Sequence, residues 1–274
     1  AEDVASWIED GMTLGLSGFT RAGDAKAVPF ALIDRAKEDP LSVNIYTGAS
    51  LGSDIDKMFA EVGLVKKRIP FQADRTMRQK INEGEMLFMD HHLSHMAEGI
   101  RSGVLGKIDY AVVEAISITE DSLIIPTTSV GNSSIFVEKA EKVIVEINTA
   151  HPASLEGLHD IYSLAEQGNR EPIPLTSVSD RIGQKGIYVD PEKVAGIVFT
   201  NYQDSPSTIL PPDEETDQIA QHLISFLEKE VEAGRLTKEL APLQAGIGTV
   251  ANAVLYGLLE TDFENLEVYS EVLQ

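Results

Sequence analysis

The chain has 274 residues, 43% of them hydrophobic and 6% aromatic, with 21 glycines and 12 prolines, a length and composition that suit one large or two ordinary soluble α/β domains with a substantial core. The 22 basic residues against 44 acidic ones leave a net charge of -22, which repels nucleic-acid backbones and anionic membranes and sets both aside as partners. Cysteine is absent and no apolar run is long enough to span a bilayer, so disulfides, iron–sulfur clusters, thiol catalysis and a spanning helix are excluded.

The opening "AEDVASWIEDGMTLGLSGF" lacks the charged start and apolar block of a signal peptide and reads as a helix leading into a strand. "MTLGLSGF" is a predicted strand ending in glycine, "DAKAVPFALIDRAKED" a helix with a helical apolar period, and "LSVNIYTGAS" a second strand ending in glycine. "FMDHHLSHMAEGI", residues 88 to 100, raises the first chemical question. His91 and His95 are four apart and share one face of a helix; with His92, Asp90 and Glu98 they have the donor types of a zinc or iron site. The plainer alternative is a strand ending at Asp90 and a helix start with histidines packed at the junction. No glutamate directly follows His91 or His95 as in a zinc-protease helix, and His151, His159 and His222 offer no matching ligand pair.

"LFMD", "IDYAVVEA", "KVIVEIN" and "VAGIVFT" are further strands, mostly apolar on both faces, as a buried parallel or mixed sheet requires. Their alternation with amphipathic stretches predicts α/β architecture. "YQDSPSTILPPDEETDQ" is the best linker, dividing the chain into domains 1–205 and 206–274. After it, Ile219, Leu223, Phe226, Leu227 and Val231 recur at helical spacing.

The last segment, "LAPLQAGIGTVANAVLYGLLETDFENLEVYSEVLQ", predicts a short strand, a glycine turn, a helix from about Thr249 and a new strand. Backbone N–H groups at such a helix start form a natural anion cradle, although Gly246 and Gly248 also suit mere close packing of a turn. Asn252, one turn in, either orients a ligand or bonds nearby backbone. Glu271 ends the next strand, on the face shared with Glu267, Tyr269 and Leu273, and ligands of open α/β sheets bind beyond the carboxyl ends of strands. The alternative is an ordinary surface glutamate. Because the sequence stops inside a predicted strand, both ends are expected to be cuts in a longer chain.

From end to end the chain resembles the acetyl-CoA hydrolase/acetyl-CoA transferase family, the branch of family I CoA-transferases that includes succinyl-CoA:acetate CoA-transferases. The resemblance rests on "SGFTRAG" (17–23), "FMDHHLSH", "PTTSVGNSS" (126–134), "LEGLHDIY" (155–162), "PIPLTSVSDRIG" (172–183), "VDPEKVAGIV" (189–198), "LQAGIGTVANAVLYGL" (243–258) and "NLEVYSEVLQ" (265–274), in that order. It implies two open-sheet CoA-transferase-type α/β domains, the second truncated here. It makes the histidine segment a structural turn and helix start without metal, with His92, Ser94 and His95 buried and hydrogen-bonded.

By the same resemblance Glu271 is the catalytic nucleophile. A carboxylate attacks an acyl-CoA thioester to give a mixed anhydride, CoA thiolate returns to form a glutamyl-CoA thioester, and an incoming carboxylate reverses both steps. The site must supply preorganised N–H donors and keep water from the anhydride. Gly246, Ile247, Gly248, Thr249 and Asn252 would line CoA, although the family usually has Asn where this chain has Thr249. Gly18, Phe19, Gly131 and Asn132 would come from loops around the acyl pocket. Arg181 fits either a ligand anion or a structural salt bridge.

The implied activity is acyl-CoA:carboxylate CoA transfer, with acetyl-CoA hydrolysis as the alternative and a non-catalytic acyl-CoA-binding module as a third reading. The resemblance implies no permanent cofactor, coenzyme A and short carboxylates as substrates, a homodimeric assembly, and a cytoplasmic location, or a mitochondrial one in a eukaryote. Family chains are longer and carry a further glycine-rich segment that supplies oxyanion donors, so residues 1–274 alone are expected to be inactive.

Overall fold

A computed structural model describes residues 1–206, 208–270 and 272. The chain divides by internal contacts into two compact units, residues 1–172 with 182–206, and residues 173–181 with 207–274. Residues 173–181, which the sequence reading assigns to the first domain, thus group with the second unit.

The first unit begins with α1 (Glu2–Ala5), β1 (Thr13–Leu16), α2 (Ala27–Glu38), β2 (Val43–Tyr46), α3 (Ile55–Glu61), β3 (Val65–Ile69), α4 (Arg75–Asn82) and β4 (Leu87–Phe88). It continues with α5 (Leu93–Arg101), β5 (Ile108–Ile118), β6 (Leu123–Pro126), α6 (Ser133–Lys139), β7 (Ala140–Asn148), β8 (Ile187–Tyr188) and β9 (Val194–Thr200). Parallel pairing joins β4, β3, β2, β1, β5, β7 and β9 in that order. The far end of β5 turns instead to an antiparallel partner, β6, which pairs with β8.

Alternation along the central strands feeds two cores, one on each face. Val112 and Ile144 join Leu14, Leu16, Leu32, Ile33, Ile45 and Phe59 on one side. Val113, Val143 and Val145 join Met96, Ile135 and Phe136 on the other. Burial on both faces is why these strands read as near-continuous apolar runs. The approach of α6 is set at Gly15, where a Cβ would lie 2.7 Å from the Phe136 ring.

The second unit contains α7 (Glu214–Glu232) and α8 (Thr249–Leu258). The α7 start carries a reciprocal capping box between Asp213 and Thr216. Gly257 lets α8 approach Ile224 of α7, whose Cδ1 would lie 2.5 Å from an added Cβ. The predicted strands around the glycine turn are reduced to one parallel bridge, Leu243 to Val268. Pro242 has no N–H to extend that ladder backwards. No helix among the described residues is long and apolar enough to cross a membrane.

Candidate active site

The first unit gathers its polar side chains at the carboxyl ends of the parallel strands. Leaving β1, the chain forms a two-residue hairpin in which Phe19 and Ala22 exchange backbone hydrogen bonds of 3.0 and 3.1 Å. Thr20 and Arg21 fill its corner with φ values of 49° and 72°, the left-handed pair that such a turn needs and that non-glycine residues rarely adopt. The carbonyl oxygen of Gly18 faces the loop after β2 so closely that a Cβ at Gly48 would stand 2.6 Å from it and 3.4 Å from the Gly131 Cα. Gly131 in turn lies against Gly18 and Phe19, and Asn132 donates from Nδ2 to the Thr47 carbonyl over 3.3 Å. The structure therefore brings together Gly18, Phe19, Gly131 and Asn132, four residues that stand more than a hundred positions apart as two pairs in the sequence.

Beneath these loops lies a buried charge network. Lys26 is inaccessible to solvent and spends its three N–H bonds on the Asp24 carbonyl at 2.7 Å, Glu114 Oε2 at 2.9 Å and Asp204 Oδ1 at 2.9 Å. Burial alone would depress its pKa, but the surrounding carboxylates of Asp24, Glu114 and Asp204 outweigh it and raise the value. Burial pushes the Asp24 carboxyl up to about 7; Lys26 opposes that shift, and Asp204 and Glu114 reinforce it. Asp204 is also lifted by burial, yet the Thr128 hydroxyl, Lys26 and the Gly23 N–H bring its carboxyl below the usual range.

Asp204 also ties loops together. It accepts from the Gly23 N–H at 3.2 Å and from the Thr128 hydroxyl at 2.5 Å, while Ser129 donates to the Ala22 carbonyl at 2.8 Å. Glu146 closes the amino end of α2 by accepting the backbone N–H groups of Lys26, Ala27 and Val28 at 2.7, 3.0 and 2.7 Å. Burial raises the pKa of this carboxyl, against the pull of those three bonds. Sequence reasoning missed Asp24, Lys26, Glu114, Glu146 and Asp204. The available signal was an acid in the middle of two apolar strands, "VVEA" and "IVEIN", since a charge placed there must be paired or hydrogen-bonded.

The histidine segment does not assemble as expected. His92 caps α5, and the His91 and His92 rings meet His95 edge-on at 6.3 and 5.6 Å. His92, Ser94 and His95 are exposed rather than buried, because the face of α5 that packs inward carries Met96 and Ile100. Among the described residues the donor atoms that cluster at metal-ligand spacing belong to Glu114, His151 and Asp204. His151, which lacks a ligand partner at local spacing, thus meets two acids that are distant along the chain.

In the second unit, Gly248 occupies the N-cap of α8 with φ 121°, a conformation open to glycine and strained for other residues. Gly246, Ile247, Gly248 and Thr249 are exposed and Asn252 is half-buried; the Asn252 N–H already bonds the Gly248 carbonyl at 3.0 Å. The N–H groups of Gly248, Thr249 and Val250 precede the first intrahelical bond, as at any helix start. Leu243 receives the Tyr269 N–H at 3.0 Å and donates to the Glu267 carbonyl at 2.7 Å. The Ser270 hydroxyl reaches the Ala245 carbonyl at 2.7 Å, so the chain leading to Glu271 runs beside the glycine turn. Glu271 itself lies outside the described residues.

Residues 1–199 match the acetyl-CoA hydrolase/transferase N-terminal domain. The chain is 48% identical over 276 residues to a succinyl-CoA:acetate CoA-transferase of Clostridium kluyveri, covering 100% of this chain and 51% of that protein. It is 42% identical over 281 residues to an acetyl-CoA hydrolase of Schizosaccharomyces pombe, covering 99% of this chain and 54% of that one. The chain therefore spans about half the length of the curated relatives it matches. Among solved structures, RipA from Yersinia pestis superposes with TM-score 0.69 at 19% identity, over 99% of this chain and 55% of that one. A 4-hydroxybutyrate CoA-transferase from Porphyromonas gingivalis gives TM-score 0.56 at 17% identity, over 98% and 52%. At such identities the structural likeness establishes the fold, a CoA-transferase-type α/β architecture.

Proposed function

From the premise that this chain belongs to the acetyl-CoA hydrolase/transferase family, we propose that the whole protein exchanges CoA between a short acyl-CoA and a short carboxylate, such as succinyl-CoA and acetate. The observation that carries the reading is the Ser270–Ala245 hydrogen bond, which ties the residue before Glu271 to the turn that opens α8. In this reading Glu271 attacks the thioester and carries CoA as a glutamyl thioester. The exposed N–H groups from Gly246 to Thr249, with Ile247 and Asn252 beside them, receive the CoA anion, where the helix dipole offsets the repulsion of the net charge of -22. Gly18, Phe19, Gly131 and Asn132 shape the acyl pocket, and small residues at Gly18 and Gly131 let backbone approach the substrate. CoA is a substrate, with no permanent cofactor, and Glu271 must be ionised to attack.

Hydrolysis is the second reading, favoured by the likeness to the Schizosaccharomyces pombe acetyl-CoA hydrolase. The two differ in whether water or a carboxylate takes the acyl group or resolves the glutamyl intermediate. A nucleophile that conserves thioester energy is superfluous to hydrolysis, which supports transfer. The family likeness supports a homodimer located in the cytoplasm, or in the mitochondrion of a eukaryote, and the strong acidity supports small-molecule partners over nucleic acid or membrane.

The test is mass spectrometry of the full-length protein incubated with acetyl-CoA and then reduced with borohydride. Reduction at Glu271 supports the covalent route. CoA release with Glu271 untouched overturns it. A requirement for acetate or succinate then separates transfer from hydrolysis.

A further inference from the structure

Glu114 and Asp204 each place one oxygen on Lys26, Oε2 and Oδ1 at 2.9 Å, and turn the other towards His151. His151 Nε2 lies 3.7 Å from Glu114 Oε1 and 3.8 Å from Asp204 Oδ2. The imidazole is only 9% exposed, and among the described residues its Nε2 has no hydrogen-bond partner. A buried ring nitrogen thus faces two carboxylate oxygens, each beyond hydrogen-bond reach, and the three are potential ligand atoms. We propose that Glu114, His151 and Asp204 form a binding site for one divalent transition-metal cation.

The spacing fits such an ion. Nitrogen and oxygen ligands sit about 2.1 Å from zinc, and a tetrahedral pair is then about 3.4 Å apart. The three ligand atoms lie within 4.8 Å of one another, so the two histidine edges close by a few tenths of an ångström and the carboxylate–carboxylate edge by up to about 1.4 Å to reach the ion. One imidazole and two carboxylates suit zinc or manganese. Lys26 does not compete, because its ammonium holds the opposite oxygen of each carboxylate.

The charge count points the same way. Asp24, Glu114 and Asp204 set three carboxylates against the single ammonium of Lys26, all buried or nearly so. A divalent cation would offset that excess of acidic groups. The ligating groups are already held by hydrogen bonds: the Thr127 hydroxyl donates to Glu114 Oε1 at 2.7 Å, Asn148 Nδ2 to Glu114 Oε2 at 2.8 Å, and the Thr128 hydroxyl to Asp204 Oδ2 at 2.5 Å. Such outer partners fix the direction of metal-bound carboxylates. The ion would lock Asp204, and through it Gly23 and Thr128, at the base of the loops that carry Gly18 and Gly131.

The site is tested apart from any acyl chemistry. Full-length protein stripped with a chelator is titrated calorimetrically with zinc, then with manganese, and the zinc form is studied by X-ray absorption. One equivalent per chain, with a single imidazole and carboxylate oxygens around it, is the expected result. His151→Gln, close in size and melting with the wild type in chelator, is expected to weaken zinc binding at least about tenfold. If His151→Gln fails to fold, Asp204→Asn in the same titration takes its place and is expected to show the same loss. Absence of uptake by the wild type overturns the site, as does uptake undiminished in the variant, which would put the ion on other side chains such as His91, His92 and His95. Neither result bears on whether Glu271 carries CoA.

Discussion

The hydroxyl of Ser270 donates a 2.7 Å hydrogen bond to the carbonyl oxygen of Ala245, and the same hydroxyl lies 3.0 Å from the Val272 carbonyl. The Ala245 bond ties Ser270, the residue before position 271, to the turn before α8. Ser270→Ala removes that tie at a cost of about 1 kcal/mol. In the full-length protein kcat is expected to fall about fivefold with little change in KM, since a nucleophile held less firmly costs rate more than binding. Ser270→Thr should restore it. Glu271→Gln is expected to lower transfer about a thousandfold or more. Steady-state kinetics with acetyl-CoA and succinate read both effects, and a Glu271→Gln variant that turns over normally would remove the covalent route.

Gly48 makes a second demand on backbone space. Its missing Cβ would be 2.6 Å from the Gly18 carbonyl oxygen, backbone that cannot swing aside as a flexible side chain does. Gly48→Ala is expected to cost about 1–3 kcal/mol by forcing these loops apart, and to raise KM for acyl-CoA because Gly18 and Phe19 move with them. Urea denaturation and kinetics on one preparation check the pair. A full stability loss with unaltered KM would separate these loops from the acyl pocket.

Much of this fold is legible in the sequence because apolar periodicity is a local property. The runs that become β5, β7 and β9 and the helical stripes of α2, α7 and α8 all fall where that pattern puts them. The strand β3 was not legible: "VKKRI" carries three charges, and Arg68 is buried only because Asp56, Thr47 and Ala49 wait for it from other segments. The candidate site divides in the same way. Gly246 to Thr249 form one contiguous turn and are visible as such. The network around Lys26 draws on positions 24, 26, 114, 151 and 204, so no window of sequence contains it. Local spacing misled at His91 and His95: His91 precedes α5, and the helix turns Met96 and Ile100 inward and leaves His95 exposed.

Lys26→Met tests how far that network depends on its one ammonium. The substitution keeps the length of the side chain but leaves Glu114 and Asp204 facing each other without a counter-charge. Removing one partner of a buried ion pair costs about 3–5 kcal/mol, so the denaturation midpoint is expected to fall steeply. Asp204→Asn added to Lys26→Met should recover part of the loss, because it removes one uncompensated charge. An additive double variant would show that Lys26 acts through packing and not through charge.

The titration of Asp24 supplies a pH dependence of defined sign. Its carboxyl is pushed up to about 7 by burial and by Asp204 and Glu114, whereas the unfolded chain releases the proton near the ordinary value of about 4. Between those limits the native state holds a proton that the unfolded state has lost. The contribution of this group is therefore complete below about pH 4 and is lost as pH rises to about 7. Asp24→Asn stays neutral throughout and escapes that loss. In chelator, so that no cation settles beside Asp204, the stability of Asp24→Asn relative to wild type is expected to improve by a few kcal/mol between pH 4 and pH 8, about 1.4 kcal/mol for each unit of displacement. Denaturant melts at half-unit intervals of pH measure the difference directly, and the other carboxylates cancel in it. A constant difference across the range would mean that Asp24 releases its proton at the same pH in the folded protein as in the unfolded chain, with Lys26 offsetting its burial.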